Sequence, residues 1–362
     1  MNNETQMFCG DSAEELLKIN DNSVDMLCSD PPYGYSFMGK GWDKVLPDTQ
    51  IWRQCFRVLK PGSFITIMAA PRTDVLWRIS RDLEEAGFDL SFSNIEWVYH
   101  SGFPKATDIS KSIDKRFNAE REVVGKNKYA SRRPNPMNGQ TYMMNETGWD
   151  CSKDLTETAP STDLAKKYEG SKAGFQPKPA REIIIVGMKP FEEGSYIDKV
   201  LNFEALPDNI KMTYPLIQTP KPAKKEKDFG MNGEEKIKDR GNARTCKTCG
   251  KGILRGEGQR CECGEDRVEE YGKSKNNHPT VKPIKLMSYL ITLFTRPGDW
   301  VLDPFGGSGT TGLACKLLDR NHIYIDFTQE YYDIAEERLQ VSKQDLKKLL
   351  KEKLSNGQQE LF

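Results

Sequence analysis

Ser23-Val24-Asp25-Met26-Leu27-Cys28-Ser29 runs straight into Asp30-Pro31-Pro32-Tyr33. The first seven residues are a short apolar run of the kind that forms a buried strand. The prolines end it, because neither has an N–H to give to a sheet. An acid, two stiff carbonyl-bearing residues and an aromatic ring are left at the carboxyl end of a strand, where open α/β sheets bind ligands. The set suits a flat ring with an exocyclic amine. The Asp30 carboxylate and a prolyl carbonyl can accept its two hydrogens, and Tyr33 can stack on its face. For the tetrapeptide alone, a plain Pro-rich turn after a strand is the other reading.

Working outward, residues 7–12 read as a short strand ending in a Gly-Asp turn, with Ser12 and Glu15 as a capping box for a helix over 13–19. Downstream, Thr49–Leu59 has helical spacing and stops at Lys60-Pro61-Gly62. A β-branched strand follows over 63–70, then a helix over 74–86, then strand material around Ile95–Tyr99. This alternation describes a doubly wound parallel sheet. The pattern breaks over 101–180, where only 106–117 looks helical. It returns for a strand at Glu182–Met188 and breaks again over 190–277. It resumes with a helix from Ile284, a strand at Trp300–Leu302, a helix over 311–318, a strand at His322–Phe327, and a helix from Gln329 capped by Thr328. Leu339, Leu346, Leu349, Leu350 and Leu354 read as a stripe packed on the body rather than as a coil between two chains, although a homodimer stays open.

Lys plus Arg and Asp plus Glu both number 53, so overall charge points to no polyanionic partner. Local charge does: Ser101–Arg133 holds nine basic residues against four acidic, and Lys211–Lys285 holds 18 against 11. Segregation of this kind makes a basic surface on a neutral protein. No apolar run approaches the roughly 20 residues that span a bilayer. The N-terminal residues lack the features of a signal peptide, so a cytoplasmic location without membrane contact is expected. Cys9, Cys28, Cys55, Cys151 and Cys315 are scattered and read as free thiols.

The strand at 300–302 leads into Asp303-Pro304-Phe305-Gly306-Gly307-Ser308-Gly309-Thr310. A strand, a Gly-rich turn and a helix suit a nucleotide-like ligand, which can approach the backbone closely and meet free N–H groups. A phosphate-binding loop would need a lysine that is absent here, and the dinucleotide fingerprint needs another glycine spacing. A nucleoside carrying a carboxylate and an amine, without phosphates, fits. Asp326, at the end of the next strand, is placed to accept hydrogen bonds from ribose hydroxyls.

Taken together, these residues resemble the DNA amino-methyltransferases that use S-adenosylmethionine. Asp30-Pro31-Pro32-Tyr33 matches their catalytic motif, and Phe305-Gly306-Gly307-Ser308-Gly309 matches their Phe-x-Gly-x-Gly cofactor motif. His278-Pro279-Thr280-Val281-Lys282-Pro283 matches the segment that leads the helix before that motif, and Gly10-Asp11-Ser12 matches a recurring opening. The catalytic motif comes first, which is the permuted order of the beta class; RNA and protein methyltransferases with a similar corner carry the cofactor motif first. Asp326 stands where glutamate is more usual. The resemblance covers roughly residues 6–104, 178–190 and 276–340.

The resemblance implies an α/β, Rossmann-like class I methyltransferase fold. Its sheet would have seven strands, mainly parallel, with the strand near 182–188 antiparallel. It implies a catalytic half over 1–100, a basic insert over 101–180, a sheet strand within 181–190, a target-recognition region over 191–277, a cofactor half over 278–340 and a helical tail over 341–362. It assigns catalysis to Asp30, Pro31, Pro32 and Tyr33. It assigns S-adenosylmethionine binding to Asp303, Pro304, Phe305, Gly307, Ser308, Gly309, Thr310 and Asp326, with Asp11 near the adenine and Thr280 and Lys282 near the methionine end. The implied reaction is methylation of N6 of an adenine flipped out of double-stranded DNA, as in restriction–modification systems. Cytosine N4 presents the same amine geometry. A DNA-binding protein on an inactive scaffold is the alternative from another class. The sequence carries no sign of whether a partner nuclease exists.

Cys246-x-x-Cys249-Gly250 and Cys261-x-Cys263-Gly264 form two knuckle-like turns with 11 residues between them. Thiolates so spaced can close a tetrahedral zinc site, and a zinc ribbon over 244–266 is expected. Free cysteines or a redox pair are the alternatives, since the second pair is CxC rather than CxxC. Arg132, Arg133, Arg240 and Arg244 are the candidates for groove contacts, because arginine forks onto guanine.

Overall fold

A computed structural model describes residues 3–34, 45–99, 107–126, 156–173, 180–191, 197–198, 215–232, 236–237, 243–246, 252–254, 268–269 and 273–354. They fall into two compact units. One comprises Met1–His100, Ala180–Glu234 and Lys275–Phe362, the other Ser101–Pro179 and Glu235–Ser274.

The first unit is built on one sheet of strands β1 (Thr5–Cys9), β2 (Val24–Ser29), β3 (Leu59–Ala69), β4 (Ile95–Val98), β5 (Arg181–Met188), β6 (Leu216–Gln218), β7 (Trp300–Asp303) and β8 (Asn321–Asp326). Their order across the sheet is β1-β8-β7-β2-β3-β5-β4-β6. Neighbours are parallel except at β5, which runs antiparallel to both β3 and β4. The sheet therefore has eight strands where seven were expected. The eighth, β6, joins the edge because Ile217 is buried and Trp97 Nε1 donates to the carbonyl of Thr219 at 2.8 Å.

Period-2 alternation sorts the sheet's side chains onto two faces. Leu27, Ile65, Ile67 and Ala69 pack with Trp52 and Cys55 of α2 (Thr49–Val58) and with Val75, Ile79 and Leu83 of α3 (Thr73–Glu85). Met26, Cys28, Phe64 and Met68 pack on the other side with Leu286, Leu290 and Phe294, from a helix over Ile284–Phe294, and with Ala314 and Cys315, from one over Thr310–Leu318. Leu346 and Leu349 of the helix Lys343–Leu354 pack with Leu313 and Leu339, so the leucine stripe covers the body as expected. No helix among the described residues is long and apolar enough to cross a membrane.

Local capping at the first helix differs from the expectation. The first helix, α1 (Ser12–Glu15), is capped by Asp11, whose carboxylate accepts from the Ala13 N–H at 2.8 Å. The Ser12 hydroxyl instead donates to the carbonyl of Pro304 at 2.6 Å. A tertiary bond to the Gly-rich turn has taken the group that local pattern assigned to the cap.

The second unit contains helices Ile109–Arg116 and Asp163–Lys167 and a hairpin of Val123–Lys126 with Thr156–Thr158. It also holds a three-stranded sheet of Ala243–Cys246, Gly252–Leu254 and Val268–Glu269. Asp114 ties the helical part together. It accepts from Arg121, from the backbone N–H groups of Ser161 and Thr162, and from the Thr162 hydroxyl. Burial pushes its pKa up, but these donors outweigh burial and hold it at about 2.

The helix that starts at Thr310 lies close against β8 because residue 312 is glycine. A Cβ there would sit 2.6 Å from His322 Nδ1 and 2.7 Å from Leu339 Cδ2. Alanine is the better helix former by about 1 kcal/mol, yet overpacking a rigid core costs about 1–3 kcal/mol. Gly312→Ala is expected to lower the melting temperature by about 2–4 °C per kcal/mol lost, read by calorimetry; a rise would show that the contact yields.

Candidate active site

β2 and β7 lie side by side and parallel, Met26 opposite Val301 and Leu27 opposite Leu302. The corners that follow them, at Asp30 and at Pro304, thus leave the sheet together at its carboxyl edge, as the two motifs require. Asp303 joins them. Its buried carboxylate accepts the Ser29 hydroxyl at 2.5 Å, the Thr311 hydroxyl at 2.6 Å and the Phe305 N–H at 3.2 Å. The strand before the Asp30 corner, the Gly-rich turn and the helix Thr310–Leu318 are held by one group. Both Asp303 oxygens accept from protein donors.

The turn itself needs glycine at two points. Gly307 and Gly309 have φ of +50° and +75°, the left-handed region that favours glycine. A Cβ on Gly307 would also lie 2.8 Å from His278 Nε2. Ser308 and Thr310 are buried, and both accept from Arg338, which is itself fully buried in the helix Gln329–Leu339. Arg338 also donates to the carbonyls of Glu226 and Phe229. It fastens the turn to the segment around a short helix, Lys224–Lys227. Phe305 turns its ring edge-on to Trp52, with centroids 5.7 Å apart.

Asp326 ends β8 beside this turn. Its carboxylate accepts from the Gly307 N–H at 2.9 Å and the Thr328 N–H at 2.8 Å. Burial raises its pKa, and those two bonds oppose the rise. Phe327, the next residue, is 59% exposed. A fixed acid beside an exposed ring is a pairing that can hold a ribose and stack on a base. Thr328 stands at the N-cap without a side-chain capping bond.

At the other corner Tyr33 donates to Asp30 Oδ1 at 2.6 Å, and Lys282 donates to Asp30 Oδ2. Lys282, expected beside a carboxylate of the cofactor, is bonded here to the carboxylate of the first motif. Glu182 completes the cluster, 3.3 Å from both the Lys282 ammonium and the Tyr33 hydroxyl. Burial raises the Asp30 pKa, Lys282 pulls it down, Glu182 pushes it up, and the outcome lies above the ordinary carboxylate value. Burial works against the Lys282 charge, but Asp30 and Glu182 more than restore it. Tyr33 is held well above the usual tyrosine value by burial and the two acids.

Glu182, Arg338 and Phe327 were not singled out from sequence. The only signal for Glu182 was an acid at the head of an apolar strand. Thr280 is half-buried, and Asp11 is a helix cap. Cys249, Cys261 and Cys263 lie outside the described residues, as do Arg132, Arg133 and Arg240; of Cys246 and Arg244 only the backbone is described. Among the described residues no cluster of three His, Cys, Asp or Glu side chains could hold a metal.

The model of a DNA methylase family, the N6/N4 methylases, matches residues 24–337 and so spans both strand-end corners. The chain belongs to the N6/N4 DNA methylase family. Type II methyltransferase M2.MboI of Moraxella bovis is 41% identical over 87 residues, 24% of this methylase-family chain and 32% of that protein. Type II methyltransferase M.HpaI of Haemophilus parainfluenzae is 48% identical over 72 residues, 20% of this chain and 23% of that protein. The chain spans about a third or less of the curated relatives it matches. Among solved structures, the cytosine-N4-specific PvuII DNA methyltransferase aligns over 99% of this chain and 94% of its own, at 17% identity and a TM-score of 0.48. M1.HpyAVI in complex with SAM aligns over 93% and 100%, at 18% identity and a TM-score of 0.44.

Burial pushes the pKa of Asp303 up to about 6, against the three hydrogen bonds that lower it. An unfolded aspartate titrates near 4. Between those values the native N6/N4 methylase binds the proton more tightly than the unfolded chain, so this group's contribution to stability falls as pH rises through the window, by on the order of 3 kcal/mol. His322 works in the opposite sense. Neither of its ring nitrogens has a partner among the described residues, and burial pushes it down to about 3. It therefore takes stability away as pH falls below its ordinary value near 6.5. In urea titrations from pH 4 to 7, Asp303→Asn should gain on the wild type by about 2–3 kcal/mol as pH rises. A difference that stays flat would refute the raised titration.

Proposed function

We propose that the chain methylates the N6 amine of an adenine in double-stranded DNA, with S-adenosylmethionine as donor. The observation that carries this reading is the Asp30 carboxylate, with Tyr33 bonded to it, on the strand next to the Gly-rich turn. A carboxylate beside an aromatic ring accepts an amine hydrogen and stacks a base; the neighbouring turn suits a nucleoside without phosphates. Aspartate at the head of the first motif favours adenine over cytosine in the resemblance drawn above.

S-adenosylmethionine supplies a methyl group on a positively charged sulfur, ready for direct transfer. The residues fit it. Gly307 and Gly309 let the turn take positive φ close against His278 and Ala335, the Asp326 carboxylate is pre-oriented for ribose hydroxyls, and Phe305 and Phe327 supply apolar walls. Asp11 and Thr280 are assigned to the same ligand through the resemblance. Asp303, Pro304, Ser308 and Thr310 hold the turn in place.

A base inside a duplex must be swung out by about 180°, at a cost of a few kcal/mol. Stacking on Tyr33 returns roughly 1–3 kcal/mol of that. The hydroxyl bond from Tyr33 to Asp30 fixes the ring before the base arrives. Asp30, with the carbonyl of Pro31, accepts hydrogen bonds from the amine and turns its lone pair out of conjugation. Pro32 stiffens the corner. Catalysis is then alignment and electrostatics, with no covalent intermediate on the protein.

Asp30→Ala should abolish transfer of labelled methyl groups to unmodified genomic DNA while calorimetric binding of S-adenosylmethionine persists. Full activity in that variant would sink the assignment. Mass spectrometry of nucleosides from the treated DNA should find N6-methyladenine; N4-methylcytosine would change the target base, and no methylated base would favour a binding protein on an inactive scaffold.

We assign a structural zinc ion to Cys246, Cys249, Cys261 and Cys263. Four thiols suit zinc, and the described strands that flank them share one small sheet. Cys246 ends a strand paired to Gly252–Leu254 and stands opposite Val268, so the connection carrying Cys261 and Cys263 begins and ends on the same small sheet. Protein purified without added metal should carry about one zinc per chain, and a chelator should lower hydrogen-exchange protection over 243–269. Metal-free protein with unchanged protection would refute the site.

A further inference from the structure

Both carboxylate oxygens of Asp30 already have donors. Lys282 occupies Oδ2 and Tyr33 occupies Oδ1. The cluster is nearly closed to water, with side chains of Lys282, Glu182 and Asp30 only 9%, 14% and 19% exposed. The Lys282 ammonium also lies about 6 Å from the ring centroids of Tyr33 and Trp97. Two acidic side chains share one ammonium. Glu182 Oε2 is already 3.3 Å from the Lys282 ammonium, and Glu182 Oε1 is 3.5 Å from the Tyr99 hydroxyl.

We propose that Glu182 is a positioning residue that takes over the Lys282 ammonium when a substrate amine takes its place on Asp30 Oδ2. This rests on the reading of Asp30 as the amine's acceptor. Lysine has three donors on a compact head, so a small shift turns the 3.3 Å approach into a full hydrogen bond. The buried cation stays paired throughout. Without a second carboxylate, the amine would have to strip a buried ammonium of its only counter-charge, which is a heavy penalty. With it, Asp30 meets the amine ionised, and the corner keeps a negative charge facing the nitrogen as positive charge moves onto it. After transfer the nitrogen sheds one proton, and Asp30 is the adjacent base that can take it.

The test is Glu182→Gln, which keeps shape and hydrogen bonding but removes the charge. Activity is read as labelled methyl transfer to unmodified genomic DNA. The expected results are unchanged S-adenosylmethionine binding, a kcat lower by about 100-fold, in the range that unpairing a buried charge produces, and an acid limb of the kcat profile shifted to lower pH. The limb moves because the carboxylate that pushes Asp30 up is gone; Lys282, Tyr33, Tyr99, Cys28 and Asp303 are the other titratable groups near it. Adding Lys282→Met to Glu182→Gln should recover roughly tenfold of the loss, since no ammonium then blocks Asp30. A merely structural role would give neither the limb shift nor the recovery.

Wild-type kcat and pH profile in Glu182→Gln, or a double variant no better than the single one, would overturn the proposal. Should Glu182→Gln fail to fold, Glu182→Asp decides: it keeps the charge and should keep the acid limb, and a limb displaced downward in that variant counts against. A wild-type chain that methylates no DNA overturns the functional reading together with this one. An active wild type with an indifferent Glu182 overturns this one alone.

Discussion

The structure turns on one buried carboxylate. Asp303 receives Ser29 from β2 and Thr311 from the helix after the Gly-rich turn, and so fixes two strand ends that are remote in sequence. A carboxylate is an expensive group to bury, and its raised pKa expresses that cost. What it returns is position. Sites that align three atoms for transfer need their parts held within about half an ångström, and hydroxyl-to-carboxylate bonds are short and directional. A hydrophobic contact between β2 and β7 would hold the strands together without fixing how far each corner projects. Arg338 likewise ties Ser308 and Thr310 to the carbonyl of Glu226.

The antiparallel strand has a chemical consequence. In a wholly parallel sheet every strand begins at the edge opposite the ligands. Because β5 is reversed, it begins at the carboxyl edge, with Ile183 opposite Ala69 near the end of β3 and Glu182 opposite Trp97 of β4. An acid at its start is thereby brought to the Asp30 corner, and the two acids carry the one lysine between them. A single reversed strand thus supplies the second charge without lengthening any loop.

Much of this was legible in the chain. The Asp30 corner, the Gly-rich turn and Asp326 could be read because each depends on local chemistry: prolines that end a strand, glycines that bare a backbone, an acid at a strand end. The strands of the core were visible as apolar runs. The parts that were not legible depend on partners far along the chain. Glu182 looks like any acid at the head of a strand; its meaning comes from the strand's direction. Arg338 sits in the last turn of its helix, where a basic residue is ordinarily a solvated complement to the helix dipole, and it is instead fully buried. β6 is three residues long between Pro215 and Pro220, too short for any periodicity to declare it. Ser12 follows the rule for a cap and was diverted by a carbonyl that comes almost 300 residues later.

The same topology explains why long inserts can interrupt the chain that builds the two corners. The first unit's chain is interrupted twice, after His100 and after Glu234. The first interruption follows β4, which ends at the carboxyl edge, and closes at β5, which starts there; the second comes after the short helix Lys224–Lys227. Adding length to such a connection changes no strand pairing, because the register of β3, β5 and β4 is set by hydrogen bonds within the sheet. Loop closure grows only slowly more costly with length, by about 0.6 kcal/mol per doubling. The geometry of the two corners therefore depends on sheet adjacency and on Asp303, not on chain distance. That is also why the order of the two motifs along the chain is free: β2 and β7 are neighbours whichever of them comes first.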